Sequence, residues 1–193
     1  MTLVFASSNK NKIREIESLL GDKIKLLGLA DIHCSEELPE TQNTIEKNAS
    51  QKANYVHTKY KVNCFADDTG LEIEALGGEP GVWSARYAGE AKDANDNIEK
   101  VLIKMQGIKN RRANFKTIIA LIIDGKEIQF EGIVNGVILE NKRGENGFGY
   151  DPIFQPENYT ISFSEMDLAL KNKISHRALA VNKLVAYLKS KRY

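Results

Sequence analysis

The sequence predicts an α/β fold, and three observations carry that expectation. The chain opens as strand, polar turn, helix, strand, the order of a βαβ unit. Amphipathic helical stretches then alternate with short apolar runs. Two long apolar runs flank Asp124-Gly125, a strong hairpin signal. A chain of 193 residues suits one substantial domain, or two lobes sharing a core.

The elements follow in order. Thr2 to Ala6 reads as the first strand, and Ser7-Ser8-Asn9 breaks it and can cap a helix. In that helix Ile13, Ile16, Leu19 and Leu20 share one face, and Gly21-Asp22 ends it. Lys23 to Gly28 reads as the second strand, and Ser35 to Asn43 as an acidic loop. Asn43 and Glu46 have capping-box spacing ahead of a helix whose apolar side is Ile45, Ala49, Ala53 and Val56. The apolar run Asn63 to Ala66 leads into Asp67-Asp68-Thr69-Gly70, which composition marks as a tight turn at a strand end. Gly77 to Gly81 is a loop, and Trp83 to Gly89 is rich in side chains that bind or pack. Asp93 to Gln106 is helical, with Ile98, Val101, Leu102 and Met105 as its stripe. Asn114 to Ile123 and Lys126 to Leu139 are the long strands, and Ile118 to Ile123 is apolar on both faces, as in a sheet interior. Gly144 to Asp151 is a glycine-rich loop. A short helix covers Asp167 to Asn172. The last begins near Ser175 and turns Ala178, Val181, Leu184, Val185 and Leu188 inward. With no repeat or linker, the expectation is a single domain over residues 1–193, one folded unit with a cleft.

The totals narrow the function. A net charge of +1 gives no bulk basic field for a nucleic acid polymer. Cys34 and Cys64 have no CxxC spacing, which argues against zinc and disulfides. No apolar run approaches the ~20 residues that span a bilayer, and no signal segment is evident, so the expected setting is cytoplasmic, without a membrane partner.

Four clusters bear chemistry around the two acids, which can hold a hard cation or take a proton from water. Ser7-Ser8-Asn9-Lys10-Asn11-Lys12 joins a strand end to a helix start, where amides and dipole favour a phosphate; a plain cap with solvated lysines is the other reading. Glu36-Glu37-Leu38-Pro39-Glu40 is either a solvated acidic loop or half of a magnesium seat. Glu145 to Pro152 sets Phe148 between glycines, suited to stacking on a base or simply to packing. Lys171 to Arg177 places His176 and Arg177 behind Ser175 at a helix start. Together they describe a nucleoside polyphosphate–Mg²⁺ site. Walker A, GxGxxG and GxSxG motifs are all missing.

These motifs, in this order, resemble the inosine triphosphate pyrophosphatases, the non-canonical purine NTP pyrophosphatases. The resemblance runs through Ser7 to Lys12, Pro39-Glu40-Thr41, Asn48-Ala49, Ala66 to Leu71, Gly77 to Gly81, Ser84 to Tyr87, Gly147 to Phe154 and Ser175-His176-Arg177, covering nearly the whole chain. Many members carry Gly and Phe where this chain has Gln42 and Ile45. The resemblance implies a long, mixed, twisted sheet with helical lobes flanking a deep central cleft. It implies Mg²⁺-dependent hydrolysis of ITP, dITP and XTP to monophosphate plus pyrophosphate, by a homodimer. On that basis Asp68 is the catalytic base and a metal ligand, with Glu40, or alternatively Glu37, the second metal carboxylate. Ser7, Ser8, Asn9, Lys10, Asn11, Lys12 and Thr69 contact the phosphates. Phe148, Gly149, Tyr150, Asp151, Lys171, His176 and Arg177 form the rest of the purine nucleoside triphosphate site. Rival readings are a Maf-like pyrophosphatase for pyrimidine or modified nucleotides, opposed by Phe148 to Asp151 and Ser175 to Arg177, and a non-catalytic nucleotide-binding module, opposed by Asp68 and the acidic loop.

Overall fold

β1 (Thr2–Phe5) buries Leu3, Val4 and Phe5 in succession, the mark of a strand covered on both faces. It pairs in parallel with β2 (Lys25–Leu27), Leu3 opposite Leu26, and in parallel with β3 (Cys64–Ile73), Phe5 opposite Phe65. Parallel neighbours need crossovers, and α1 (Lys10–Leu20) and α2 (Ile45–Tyr60) lie in the two connections. The computed structural model describes residues 1–20 and 24–191. The helix stop expected at Gly21-Asp22, and Lys23 of the expected second strand, lie outside the described residues.

The sheet order among these residues is β2-β1-β3-β4-β5-β6. β4 (Arg112–Ile123) and β5 (Lys126–Ile138) are the expected long strands, and Ile118 to Ile123 is buried throughout. Asp124 and Gly125 both take positive φ, 50° and 73°, as a two-residue hairpin turn of type I′ requires. β6 (Phe154–Pro156) pairs antiparallel with β5, and at three residues it is too short to show a period. The sheet is therefore mixed, and with its helices the chain is α/β, as the sequence predicts.

Two local expectations are corrected. The start of α2 is capped by Thr44, whose hydroxyl accepts from the Lys47 amide at 3.2 Å, in place of the Asn43–Glu46 box. The cap has slipped by one residue, which puts Lys47 instead of a carboxylate at the third helical position. Asp67 to Gly70 also forms no turn: it continues β3 as extended strand. α3 (Ala94–Lys104) is capped by Asp93, α4 (Leu168–Ile174) by Asp167, and α5 (His176–Ser190) follows Ser175.

The chain divides into two compact units, each assembled from separate segments. The first takes Met1–Asp68, Thr117–Gly132 and Arg177–Tyr193; the second takes Thr69–Lys116 and Ile133–His176. The first packs Leu3, Phe5, Ile16, Phe65, Ile119 and Leu121 with Val181, Leu184 and Leu188 of α5. The second packs Leu71, Ile98, Val101, Met105 and a group of rings, with Phe115 edge-on to Phe154 at 4.7 Å.

β5 tolerates no side chain at Gly136, where a Cβ would lie 2.3 Å from the Gln155 carbonyl oxygen and 2.6 Å from the Phe154 ring. Gly136→Ala is expected to destabilise the protein by about 1–3 kcal/mol, the usual cost of overpacking, read as a lowered urea midpoint.

Candidate active site

Successive strand residues point to opposite faces, so the adjacent acids of β3 acquire different neighbours. Asp67 takes cations from α1 and α5. Its Oδ1 accepts from Lys12 Nζ at 3.0 Å and its Oδ2 from Arg177 Nε at 3.2 Å. Arg177 Nη1 also donates to Glu15 of α1. Asp67, Arg177 and Glu15 are almost wholly buried. Burial opposes ionisation of Asp67, but Lys12, Arg177 and Lys52 overcome it and hold the carboxyl well below the usual range. Burial also pushes the Lys12 ammonium down, against the pull of Asp67.

Asp68 faces α2. Lys52 Nζ donates to Asp68 Oδ1 at 3.2 Å and to Glu40 Oε1 at 2.5 Å, joining the strand acid to the acidic loop. Burial raises the pKa of Asp68, with Glu40 and Asp67 adding to it against Lys52 and Lys12. The other oxygen, Oδ2, is buried and has no hydrogen-bond partner. An orphaned carboxylate oxygen beside a second carboxylate fits a hard cation. No group of three or more His, Cys, Asp or Glu is placed to hold a metal ion among the described residues. A cation here would draw its remaining ligands from substrate and water, the habit of Mg²⁺. Of the two acids weighed for this place, Glu40 shares Lys52 with Asp68, whereas Glu37 is exposed.

At the head of α1, Asn9 is the cap: its Oδ1 accepts from the Asn11 and Lys12 amides at 3.0 and 3.2 Å. Ser7 Oγ accepts from the Asn9 amide. Ser8, Lys10 and Asn11 are exposed. Thr69 follows Asp68 along β3 and is half-buried.

The second unit gathers the aromatic-loop residues. Lys171 of α4 donates to Asp151 Oδ2 at 2.7 Å, and the Phe148 amide donates to the same oxygen at 2.7 Å. Lys171 Nζ also stands 4.9 Å from the Phe148 ring centre. Gly147, at φ 77°, leaves room for this: a Cβ there would fall 2.2 Å from Asp151 Oδ2. Gly149 is half-buried with φ 61°. The Tyr150 hydroxyl donates to the Ser84 carbonyl at 2.8 Å, and burial drives its pKa upward. His176 is buried and stacks on Phe115 at 4.6 Å.

Two residues of the constellation escape a sequence reading, Lys52 and Glu15. The signal for Lys52 was its place among Ala49, Ala53 and Val56: a lysine on a buried helix face needs a carboxylate. Glu15 sits beside Ile16 in the buried part of α1, three residues after Lys12. Gln42 and Ile45 fit in different ways. The Gln42 amide donates to Asn48 Oδ1 at 2.9 Å, and Ile45 is a buried core residue.

The Ham1 family profile matches residues 3–187. A Flavobacterium johnsoniae protein named dITP/XTP pyrophosphatase is 57% identical over 188 residues, 97% of this chain and 98% of that protein. The Porphyromonas gingivalis protein of the same name is 50% identical over 187 residues, 96% of each. Among solved structures, the Staphylococcus aureus Ham1 protein superposes with a TM-score of 0.90 at 38% identity, over 99% of this chain and 100% of that one.

The two acids are expected to respond unequally to loss of charge. Asp67→Asn leaves Lys12 and Arg177 with a buried partner removed, and should cost about 3–5 kcal/mol. Asp68→Asn, in metal-free protein, should lower the thermal midpoint much less, since burial already disfavours the Asp68 charge and Glu40 still pairs with Lys52. The depressed Asp67 contributes stability that is full above the ordinary carboxylate pKa and is lost as the pH falls through its folded value. Acid melts of wild type and Asp67→Asn should therefore converge at low pH, as calorimetry would record.

Proposed function

Because the chain belongs to the Ham1 family, we propose that it hydrolyses non-canonical purine nucleoside triphosphates, dITP and XTP with ITP, to the monophosphate and pyrophosphate. The reading rests on one observation above the others: Asp68 keeps a buried, unpartnered oxygen while Lys52 ties its other oxygen to Glu40. The names of the relatives supply the substrate class.

Asp68 orients a water against the α-phosphorus and takes its proton. The oxygen–phosphorus bond to the α-phosphate forms, the α–β anhydride bond breaks, and pyrophosphate leaves. Asp68 and Glu40 would hold Mg²⁺, which supplies neutralisation of charge on the phosphate oxygens. Lys12 and Lys52 bring fixed positive charge to the same task, and Ser7, Ser8, Asn9, Lys10, Asn11 and Thr69 position the phosphate chain. Phe148 stacks on the base, and Gly149, Tyr150, Asp151 and Lys171 shape the surroundings of that ring.

Selection against adenine follows from donors. The carbonyl at purine position six accepts a hydrogen bond from the His176–Arg177 pair. Arg177 is held by Asp67 through Nε and by Glu15 through Nη1, which fixes the plane of the guanidinium. Adenine presents an amino donor there and leaves the pocket donor unpaired, at ~1–3 kcal/mol per buried group. We place the enzyme in the cytoplasm as a homodimer, in keeping with the resemblance; light scattering tests the dimer.

The expected outcome with dITP and XTP is pyrophosphate release that chelation of divalent metal abolishes and Asp68→Asn removes, with dTTP and ATP turned over poorly. Release of single orthophosphates, or turnover of none of these, overturns the reading. Phe148→Ala should raise KM roughly five- to thirtyfold, the worth of ~1–2 kcal/mol of base stacking, with a smaller change in kcat.

A further inference from the structure

The acidic loop runs antiparallel to α2 and is fastened to one face of it. At one end, the Thr41 amide donates to Gln51 Oε1 at 3.0 Å, Gln51 Nε2 returns a bond to Thr41 Oγ1 at 2.8 Å, and the Gln42 amide meets Asn48. In the middle, Lys52 holds Glu40. At the far end, Glu36 Oε1 accepts from Tyr55 Oη at 3.1 Å, Lys59 Nζ at 2.6 Å and Tyr60 Oη at 2.8 Å. Positions 48, 52, 55 and 59 recur at spacings of four, three and four, one helix face. The loop has no regular secondary structure from Ser35 to Thr41, so these side-chain fastenings set its course. The Lys59 hydrogen bond, aided by Tyr60, holds the Glu36 carboxyl at about 2, charged across the working pH range.

We propose that Glu36 is a positioning residue for the metal site: clamped by Tyr55, Lys59 and Tyr60, it fixes the loop on α2 so that Glu40 stands against Asp68. This rests on the reading that Asp68 and Glu40 hold the metal. On this proposal Glu36 acts through Glu40 and not on the metal itself, as partners outside a coordination shell do. Three donors converging on one carboxylate oxygen at the solvent-facing end of a helix add little to stability, since exposed pairs are worth little. Their effect is geometric.

The test compares wild type with Glu36→Gln, and with Tyr60→Phe as a milder variant should the first fail to fold. Mn²⁺ affinity of the substrate-free protein, by electron paramagnetic resonance, needs no turnover. Hydrogen exchange of the amides of residues 37–43 reports the loop directly. Glu36→Gln should speed that exchange, weaken Mn²⁺ binding about tenfold and raise the Mg²⁺ concentration for half-maximal turnover by the same factor. Turnover at saturating Mg²⁺ should stay within about twofold of wild type. Unchanged exchange, or faster exchange with unchanged Mn²⁺ affinity, overturns the proposal, as does a lower turnover at saturating Mg²⁺ with metal affinity intact. Wild type that binds Mn²⁺ but cleaves no triphosphate sinks the functional reading alone, and the Mn²⁺ and exchange arms still decide the role of Glu36.

Discussion

The first unit depends on the alternation of a single buried strand. β3 presents Asp67 to one face and Asp68 to the other. Two carboxylates side by side in a core would be intolerable if they shared an environment. Separation gives each its own hydrogen-bonded cations, while Lys12 and Lys52 each act on both charges. Asp67 receives Lys12 and Arg177 and is held ionised. Asp68 receives Lys52 and keeps one oxygen uncommitted. One acid is paired on both oxygens, and the other keeps an oxygen without a hydrogen-bond partner. The helices that carry these cations, α1, α2 and α5, are the same ones whose apolar residues build or flank the core. The ionic network and the hydrophobic packing are therefore set by one another.

The second unit repeats the logic on a smaller scale. Asp151 and Lys171 form an ion pair at 2.7 Å with both side chains nearly inaccessible. Such a pair gains little net stability, because desolvation offsets the attraction. What it provides is a fixed direction. The carboxylate also takes the Phe148 amide, and the ammonium lies close to the Phe148 ring. Gly147 is required for this contact because any Cβ would collide with the carboxylate. The aromatic loop is thus fixed in shape by charge.

Long, periodic elements were legible in the sequence. The helical stripes, the Asp124-Gly125 hairpin and the fully apolar Ile118 to Ile123 are local patterns, and the structure realises them. Asp67 to Gly70 misled because turn composition and strand-bound acids look alike until distant cations are known. Lys12 lies 55 positions from Asp67 and Arg177 lies 110. Glu15 is hidden the same way, 162 positions from Arg177, whereas Lys52 lies only 12 and 16 positions from Glu40 and Asp68 and is hidden because the fold alone chooses its partners. β6 was invisible because three residues carry no period.

The segmented make-up of the first unit bears on its birth at the ribosome. α5 supplies Val181, Leu184 and Leu188 to that core, and Arg177 to Asp67, yet it follows every other part of the unit in the chain. A nascent chain that has already emitted β1, β3 and the central hairpin holds an acid awaiting its guanidinium and an apolar surface awaiting its cover. Closure of such long-range contacts is slow and exposes sticky intermediates. Completion of this core, and of the ion pair beneath it, therefore waits on the synthesis of α5.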